Sequence, residues 1–240
     1  DQVRRAEHKA LQAEGPRHVA KAARELGVKR LILISAIGAD AKGNAHYART
    51  KAAGEQAVLE EFPGAVILRP SLVFGPEDQL FNRFAAMARF SPLLPLIGGG
   101  TTRFQPIYVG DVAAAITAAC AGRAKPDSVY ELGGPDIVSF RELLDRVQDW
   151  SGRRKPYVRI PFWLAKLGAL LTVPLPNSMR PLTVDQIRML QRPNVVSESA
   201  VKERRTLAGL GIGELRSMAS VVPAYLERFQ PHGQFAHYRG

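Results

Sequence analysis

Tyr47 and Lys51 place a phenol and an ammonium four residues apart in a segment, Tyr47-Ala48-Arg49-Thr50-Lys51, that reads as helical. Residues at i and i+4 share one helix face, so both side chains can serve the same point in a cleft. An ammonium beside a phenol favours the phenolate and lowers its pKa, making a weak acid a usable proton donor and acceptor near neutral pH. With a cofactor present, that is hydride-transfer chemistry. The spacing alone also fits a solvated Tyr/Lys pair on an amphipathic helix, so the flanking elements have to decide.

Upstream, Arg30-Leu31-Ile32-Leu33-Ile34-Ser35 is a short apolar run ending in a hydroxyl, preceded by a Gly27-Val28-Lys29 turn that closes a helical pattern. Downstream, Ala65-Val66-Ile67-Leu68-Arg69-Pro70 is a second run, stopped by a proline that cannot continue a ladder. Both read as buried parallel strands. Strand, loop with Ser35, helix with Tyr47 and Lys51, then a parallel strand make one βαβ unit of a doubly wound sheet. Ligands of such sheets sit beyond the carboxyl ends of the strands, where Ser35 falls.

The expected fold class is α/β, a doubly wound Rossmann-like parallel sheet with a smaller, mostly helical C-terminal portion. Residues 1–135 are expected to hold the partial nucleotide domain, with a substrate-side helical insertion over about 77–100, and residues 136–240 the basic helical portion. The chain opens on an amphipathic helical pattern, Arg4 to Arg24, and contains no G-x-G-x-x-G turn to hold a pyrophosphate at a helix N-terminus. Either it lacks the first half of a nucleotide domain or it is not a nucleotide domain. Gly98-Gly99-Gly100 precedes Thr101, Thr102 and Arg103 rather than a helix, so it is expected to be a plain turn.

Further along, Leu80, Phe81, Phe84, Met87 and Phe90 form an aromatic helix face expected in the core. Phe104 to Val109 reads as a strand, Asp111 as the N-cap of an apolar helix from Val112 to Cys120, and Val129 to Leu132 as a sheet strand. Ser139 should cap a helix to about Trp150, and a last amphipathic helix should run from Leu215 to Phe229. The lone Cys120 permits no intrachain disulfide and is expected to pack. The most apolar stretch, Ile160 to Pro174, is too short and too proline-bounded to span a bilayer. It can either be buried or lie flat in a lipid interface.

The formal net charge is +11, and it is uneven: residues 1–150 carry 19 Lys+Arg against 17 Asp+Glu, residues 151–240 carry 14 against 5. A local excess of this kind fits an anionic membrane surface or an acidic protein, or simply a soluble basic surface. Nucleic acid is not an expected partner, because there is no recognition motif and no interleaved aromatic pattern.

Four pieces in register resemble the extended or atypical short-chain dehydrogenase/reductases, the NAD-dependent epimerase/dehydratase-like group: Leu31 to Ser35; Tyr47-x-x-x-Lys51 followed by Gly54-Glu55; Leu68 to Pro76; and Tyr108-Val109-Gly110-Asp111-Val112-Ala113. Arg49 to Glu55, Phe74 to Asp78, Asn82 to Met87, Gln105 to Val109 and Asn194-Val195-Val196 resemble, within that group, the branch containing the nucleotide-binding accessory subunit of respiratory complex I and its bacterial relatives. The resemblance implies NADP or NAD as cofactor. It puts the general acid/base on Tyr47, the ribose-binding, pKa-lowering lysine on Lys51 and the carbonyl-orienting hydroxyl on Ser35, with Pro70, Ser71 and Leu72 beside the nicotinamide. Ser35-Ala36 stands where many relatives have two hydroxyl residues, and Phe104 where sugar-nucleotide epimerases place an arginine.

Two functions follow from the resemblance. One is an NAD(P)(H)-binding, membrane-peripheral protein with little or no turnover, partnered by complex I subunits and an anionic membrane surface. The other is an active NAD(P)-dependent oxidoreductase or epimerase using Tyr47. The implied location is cytoplasmic, or peripheral on the cytoplasmic face of the inner membrane, which is the matrix side in a eukaryote. No metal ligand set is expected.

Overall fold

The computed structural model describes residues 14–171 and 183–231. Residues 4–13 of the helix expected from Arg4 to Arg24, residues 172–174 of the apolar stretch and the polar tail after 231 lie outside them. The described residues open with α1 (Gly15–Glu25), β1 (Ile32–Ile34), α2 (His46–Glu61) and β2 (Val66–Pro70). Next come β3 (Val73–Phe74), α3 (Leu80–Phe90), β4 (Leu94–Ile97), β5 (Arg103–Phe104), β6 (Ile107–Tyr108) and α4 (Val109–Cys120). The remainder is β7 (Val129–Leu132), β8 (Val138–Ser139), α5 (Phe140–Trp150), β9 (Tyr157–Ile160), α6 (Phe162–Leu171), α7 (Val184–Met189), α8 (Glu198–Lys202) and α9 (Met218–Leu226). These elements form two units that the chain enters in turn. Residues 1–71, 110–133 and 194–215 make one; residues 72–109, 134–193 and 216–240 make the other.

The first unit is built on a three-stranded, all-parallel sheet in the order β1-β2-β7. β2 is central, and Val66, Ile67 and Leu68 are all buried. Since successive side chains point to opposite faces, both faces of β2 are covered, which is why its sequence is continuously apolar rather than alternating. β1 is parallel as expected but not deeply buried: Ile34 is 38 % exposed. Among the described residues β1 pairs on one side only, and an edge position leaves its side chains part of their access to water. Ala20 and Ala23 of α1 pack with Val58 of α2, and with Phe62 just after it, against Ile67. Gly27 ends α1 at φ +68°, the left-handed conformation that lets its N–H turn back to Arg24 O.

The outer edge of β7 is covered by the late segment 194–215. Glu131 N–H donates to Arg205 O, Arg205 Nη1 donates to Val129 O at 2.6 Å, and Ser197 N–H donates to Glu131 Oε2 at 2.7 Å. An open strand edge is thereby satisfied by residues that join this unit last in the chain.

In the second unit, short strands pair as β3-β6 and β4-β9, both parallel, and as β5-β8, antiparallel. Its core gathers Phe74, Phe81, Leu96, Phe104, Phe140, Leu143, Leu144, Val147, Met218, Val222 and Leu226. Phe81 is fully buried on α3, but Phe90 at the end of that helix is 81 % exposed, so the aromatic face is core only over its first turns. Ser139 caps α5 as expected, in a reciprocal box with Glu142 that satisfies two end donors. The three glycines 98–100 form a short 3-10 turn with all three φ positive, as expected of a turn.

Other expectations shift. The strand expected over 104–109 is split into β5 and β6, and α4 begins at Val109, so Asp111 sits inside its first turn rather than at the N-cap. A carboxylate there still favours the positive end of the helix. The last helix starts at Met218, capped by Ser217, and passes into a 3-10 turn over Glu227–Phe229. Cys120 is exposed at the end of α4 rather than packed. In α6 only Ala169 is buried, while Trp163, Leu164, Leu167, Leu170 and Leu171 are exposed, so the buried alternative for that stretch does not hold over its described residues.

α2 is joined to β2 by an ion pair. Arg69 Nε and Nη2 donate to the two carboxylate oxygens of Glu55 at 2.8 and 2.5 Å, and the Glu55 side chain is 6 % exposed. Removing one partner of a buried pair leaves an uncompensated charge, whereas replacing both by apolar groups does not. Arg69→Met is therefore expected to lower stability by about 3–5 kcal/mol, and Glu55→Leu combined with Arg69→Met to recover most of that loss, by urea unfolding of the four members of the cycle. Equal losses in the single and double variants would show that the pair does not hold this helix.

Candidate functional site

The pairing of the first sheet runs past its strands. Ser35 follows the last residue of β1, and its N–H donates to Leu68 O at 2.7 Å; Ile37 N–H donates to Pro70 O at 2.9 Å, and Ser71 N–H to Leu132 O at 2.8 Å. Ser35, Pro70 and Ser71 are therefore held by backbone at the carboxyl edge of β1-β2-β7, where open α/β sheets take ligands. All three are buried. Leu72 begins the other unit, half-buried, its carbonyl accepting from Ile107 N–H at 2.9 Å.

Among the described residues, two buried side-chain polar atoms have no hydrogen-bond partner: Ser35 Oγ and Asn194 Oδ1. A buried polar atom left unpaired costs about 1–3 kcal/mol, so each asks for an explanation. Both belong to this sheet edge. Ser71 Oγ donates to the Asn194 carbonyl at 2.9 Å across 123 residues of chain, and Ser35 is tied to β2 through Leu68. A hydroxyl can donate to a ligand carbonyl and an amide oxygen can accept from a ligand N–H or O–H. The pair of atoms fits a polar ligand seated at the carboxyl edge.

Asn194 had only the likeness of Asn194-Val195-Val196 to speak for it in the sequence, with no role attached. Nothing local marks it, because its neighbours at the site come from the far end of the chain. Ala36 supplies no second hydroxyl, so Ser35 stands as the one buried hydroxyl at the end of β1.

Tyr47 and Lys51 both lie in the first half of α2, a helix rich in alanine that starts from extended backbone at Ala45 without a side-chain cap. Their shared face is real: the Lys51 ammonium lies 5.8 Å from the centroid of the Tyr47 ring. Both side chains are half-buried. The expected lowering of the phenol pKa is not what this environment produces. Burial raises the Tyr47 pKa, because an anion is costly to desolvate. Burial likewise lowers the Lys51 pKa, while the carboxylate of Glu55, one turn on, works in the opposite direction. Glu55 is thus shared between the anchoring Arg69 and the charge balance of Lys51.

No cluster of three His, Cys, Asp or Glu side chains capable of holding a metal ion occurs among the described residues. A cavity of about 170 Å³ lined by Lys29, Arg30, Ile32, Phe62 and Pro126 opens at the amino ends of β1 and β2, the opposite end of the sheet from Ser35 and Ser71. It contains none of the candidate residues.

Comparison with known proteins agrees with this architecture. The chain is 40 % identical over 185 residues to the mitochondrial NADH dehydrogenase [ubiquinone] 1 alpha subcomplex subunit 9 of Arabidopsis thaliana, covering 73 % of this chain and 46 % of that protein. It is 39 % identical over 150 residues to the ceramide reductase of Caulobacter vibrioides, covering 62 % of this chain and 46 % of that enzyme. The chain thus spans less than half the length of either relative. Among solved structures, the UDP-glucose 4-epimerase of Thermotoga maritima superposes with a TM-score of 0.66 at 17 % identity, over 94 % of this chain and 71 % of that one, which establishes the shared α/β fold. Residues 4–133, containing the parallel sheet, Ser35, Tyr47, Lys51 and the Pro70-Ser71-Leu72 turn, match the NAD dependent epimerase/dehydratase family, and the chain belongs to that family.

Proposed function

We propose that this chain is the nicotinamide-facing part of an NAD(P)(H)-binding protein of the atypical short-chain dehydrogenase/reductase type, related in role to the complex I accessory subunit. The observation that carries the nucleotide reading is the unpartnered, buried Ser35 Oγ on the same unit as Tyr47 and Lys51. A bound NADP or NAD supplies the hydride donor or acceptor. Lys51 offers its ammonium to the ribose hydroxyls, the Pro70-Ser71-Leu72 turn lies against the nicotinamide, and Ser35 Oγ donates to a carbonyl oxygen. Tyr47 Oη holds the proton that a carbonyl oxygen would take. The raised phenol pKa keeps that proton on Tyr47 at neutral pH, so the resting residue is an acid rather than a base.

Turnover is the point on which two readings divide. The likeness to the Arabidopsis complex I subunit, over 73 % of this chain, supports a nucleotide-holding role with little or no turnover, peripheral to the membrane and partnered by complex I subunits. Bound cofactor then stabilises the fold by mass action. The second reading is an active reductase. It is favoured by the retention of Ser35, Tyr47 and Lys51 together, and by 39 % identity to a ceramide reductase, which points to a carbonyl on a lipid of the ceramide class as the substrate to try.

Native purification of the full-length protein separates the two. The nucleotide-holding role predicts tightly bound NADP or NAD, co-fractionation with membranes and complex I, and no oxidation of reduced cofactor when a carbonyl substrate is added. A free protein that oxidises its cofactor on that addition would sink it and establish the reductase. In the latter case Tyr47→Phe is expected to lower turnover by at least ~10²-fold with dinucleotide affinity nearly unchanged, since only the proton-transfer group is lost. Unchanged turnover removes Tyr47 from the mechanism.

The pH behaviour of Tyr47 is a separate test. Its folded-state pKa lies above the unfolded value of about 10, so the stability it contributes is fully present below that pH and is lost as pH rises through the folded value. In ultraviolet difference titrations of the wild type against Tyr47→Phe, the missing phenolate step is expected above the ordinary tyrosine range. A step below that range would mean that the Lys51 ammonium, not burial, governs the phenol.

A further inference from the structure

The outer face of α6 is the most apolar exposed surface on a helix of the second unit. Trp163, Leu164, Leu167, Leu170 and Leu171 are all exposed, from 43 to 74 %. At 100° per residue they fall on one continuous side, while Phe162, Ala165 and Ala169 turn the other way. That inner side is the packed one: Ala169 is buried, the Phe162 ring lies so close to Gly98 that an added Cβ there would sit 2.1 Å from it, and α6 contacts α7. The helix is therefore held by one face and presents five large apolar side chains on the other. Monomeric proteins rarely leave a contiguous patch of this kind uncovered.

The charge around it identifies what covers it. Residues 151–193, which contain α6, carry eight Lys+Arg and one Asp+Glu. Arg159 is exposed on β9 three residues before α6 begins, Lys166 is half-buried on the flank of α6 beside the apolar face, and Arg188 is exposed on α7, which packs against α6. A second copy of the chain would bring the same positive charge to the same patch and be repelled. An apolar stripe bearing a tryptophan and flanked by cations matches an anionic bilayer surface, where the apolar side chains enter the acyl boundary and the cations meet headgroups. A ten-residue helix is about 15 Å long and cannot cross the hydrocarbon core, so it lies in the interface plane.

We infer that α6 is a membrane-docking helix, inserting Trp163, Leu164, Leu167, Leu170 and Leu171 into an anionic lipid surface with Arg159, Lys166 and Arg188 at the headgroups. The inference gives a site to the membrane-peripheral role proposed above and is independent of the nucleotide reading, because every residue it uses belongs to the second unit.

The test is co-sedimentation of the purified full-length protein, free of complex I, with vesicles of phosphatidylcholine alone or mixed with phosphatidylglycerol. Binding to the anionic vesicles is expected to be at least ~10-fold tighter and to weaken with salt. Leu167→Glu with Leu170→Glu is expected to weaken it at least ~10-fold without lowering the melting temperature, since both side chains are exposed. Arg159→Glu with Arg188→Glu, which leaves the apolar face intact, should abolish the preference for anionic lipid. The tryptophan emission that Trp163→Phe removes, read as wild type minus this variant, should shift to the blue on vesicle addition. Absence of binding to both vesicle types, or equal binding by wild type and Leu167→Glu/Leu170→Glu, overturns the inference. So does a wild-type dimer that this double variant converts to monomer without any vesicle binding, which would assign the face to a second copy. Addition of NADP or NAD should leave all these readings unchanged, so loss of the nucleotide reading and loss of this one are separately visible.

Discussion

The bond between Glu55 and Arg69 is the constraint on which the candidate site rests. β2 would be central in the sheet without it, and α2 would be helical without it, but neither fact sets how far along the strand the helix sits. A bidentate carboxylate–guanidinium pair has little angular freedom, and a register in which Glu55 missed Arg69 would strand a buried charge. Its value lies in that selection more than in net stability. Tyr47 and Lys51 lie two turns and one turn before Glu55 on the same helix, so whatever fixes Glu55 over β2 also fixes them.

Seen this way, the polar residues of the first unit form one arrangement. Arg69 engages Glu55, Glu55 supports the charge of Lys51, and Lys51 lies over the ring of Tyr47. At the end of the same strand, Ser71 Oγ donates to the Asn194 carbonyl, and the Asn194 side-chain oxygen is buried without a partner. Among the described residues, the outer edge of β7 is satisfied while two buried side-chain atoms at the carboxyl edge are left unpaired. The cavity of about 170 Å³ lies at the other end of the strands, away from these two atoms. A tyrosine and a lysine on one helix face do not by themselves require turnover.

Much was legible in the sequence because it follows from local rules. The parallel βαβ pattern, the Tyr47/Lys51 face, the Ser139 cap and the turn at Gly98-Gly99-Gly100 each depend on residues within a few positions of one another. The errors have a common cause. Ile34 and Cys120 look like core residues by type, yet their exposure depends on which elements lie beside them, and the raised pKa of Tyr47 depends on how much of the chain covers it. Phe90 ends its helix beyond the reach of the core, a matter of where α3 stops rather than of its periodicity.

By itself the sequence determined the α/β class, the family, the helix that carries the tyrosine and lysine, and the basic character of the C-terminal part, because periodicity, turn chemistry and charge are written in neighbouring residues. Only the tertiary structure decided that Asn194 joins Ser71, that segment 194–215 closes the edge of β7, and that the apolar stretch beginning at Phe162 turns its leucines outward. Each of these depends on contacts or missing contacts between segments far apart in the chain. No local pattern encodes them, since the same residues would satisfy the same local preferences whether buried or exposed.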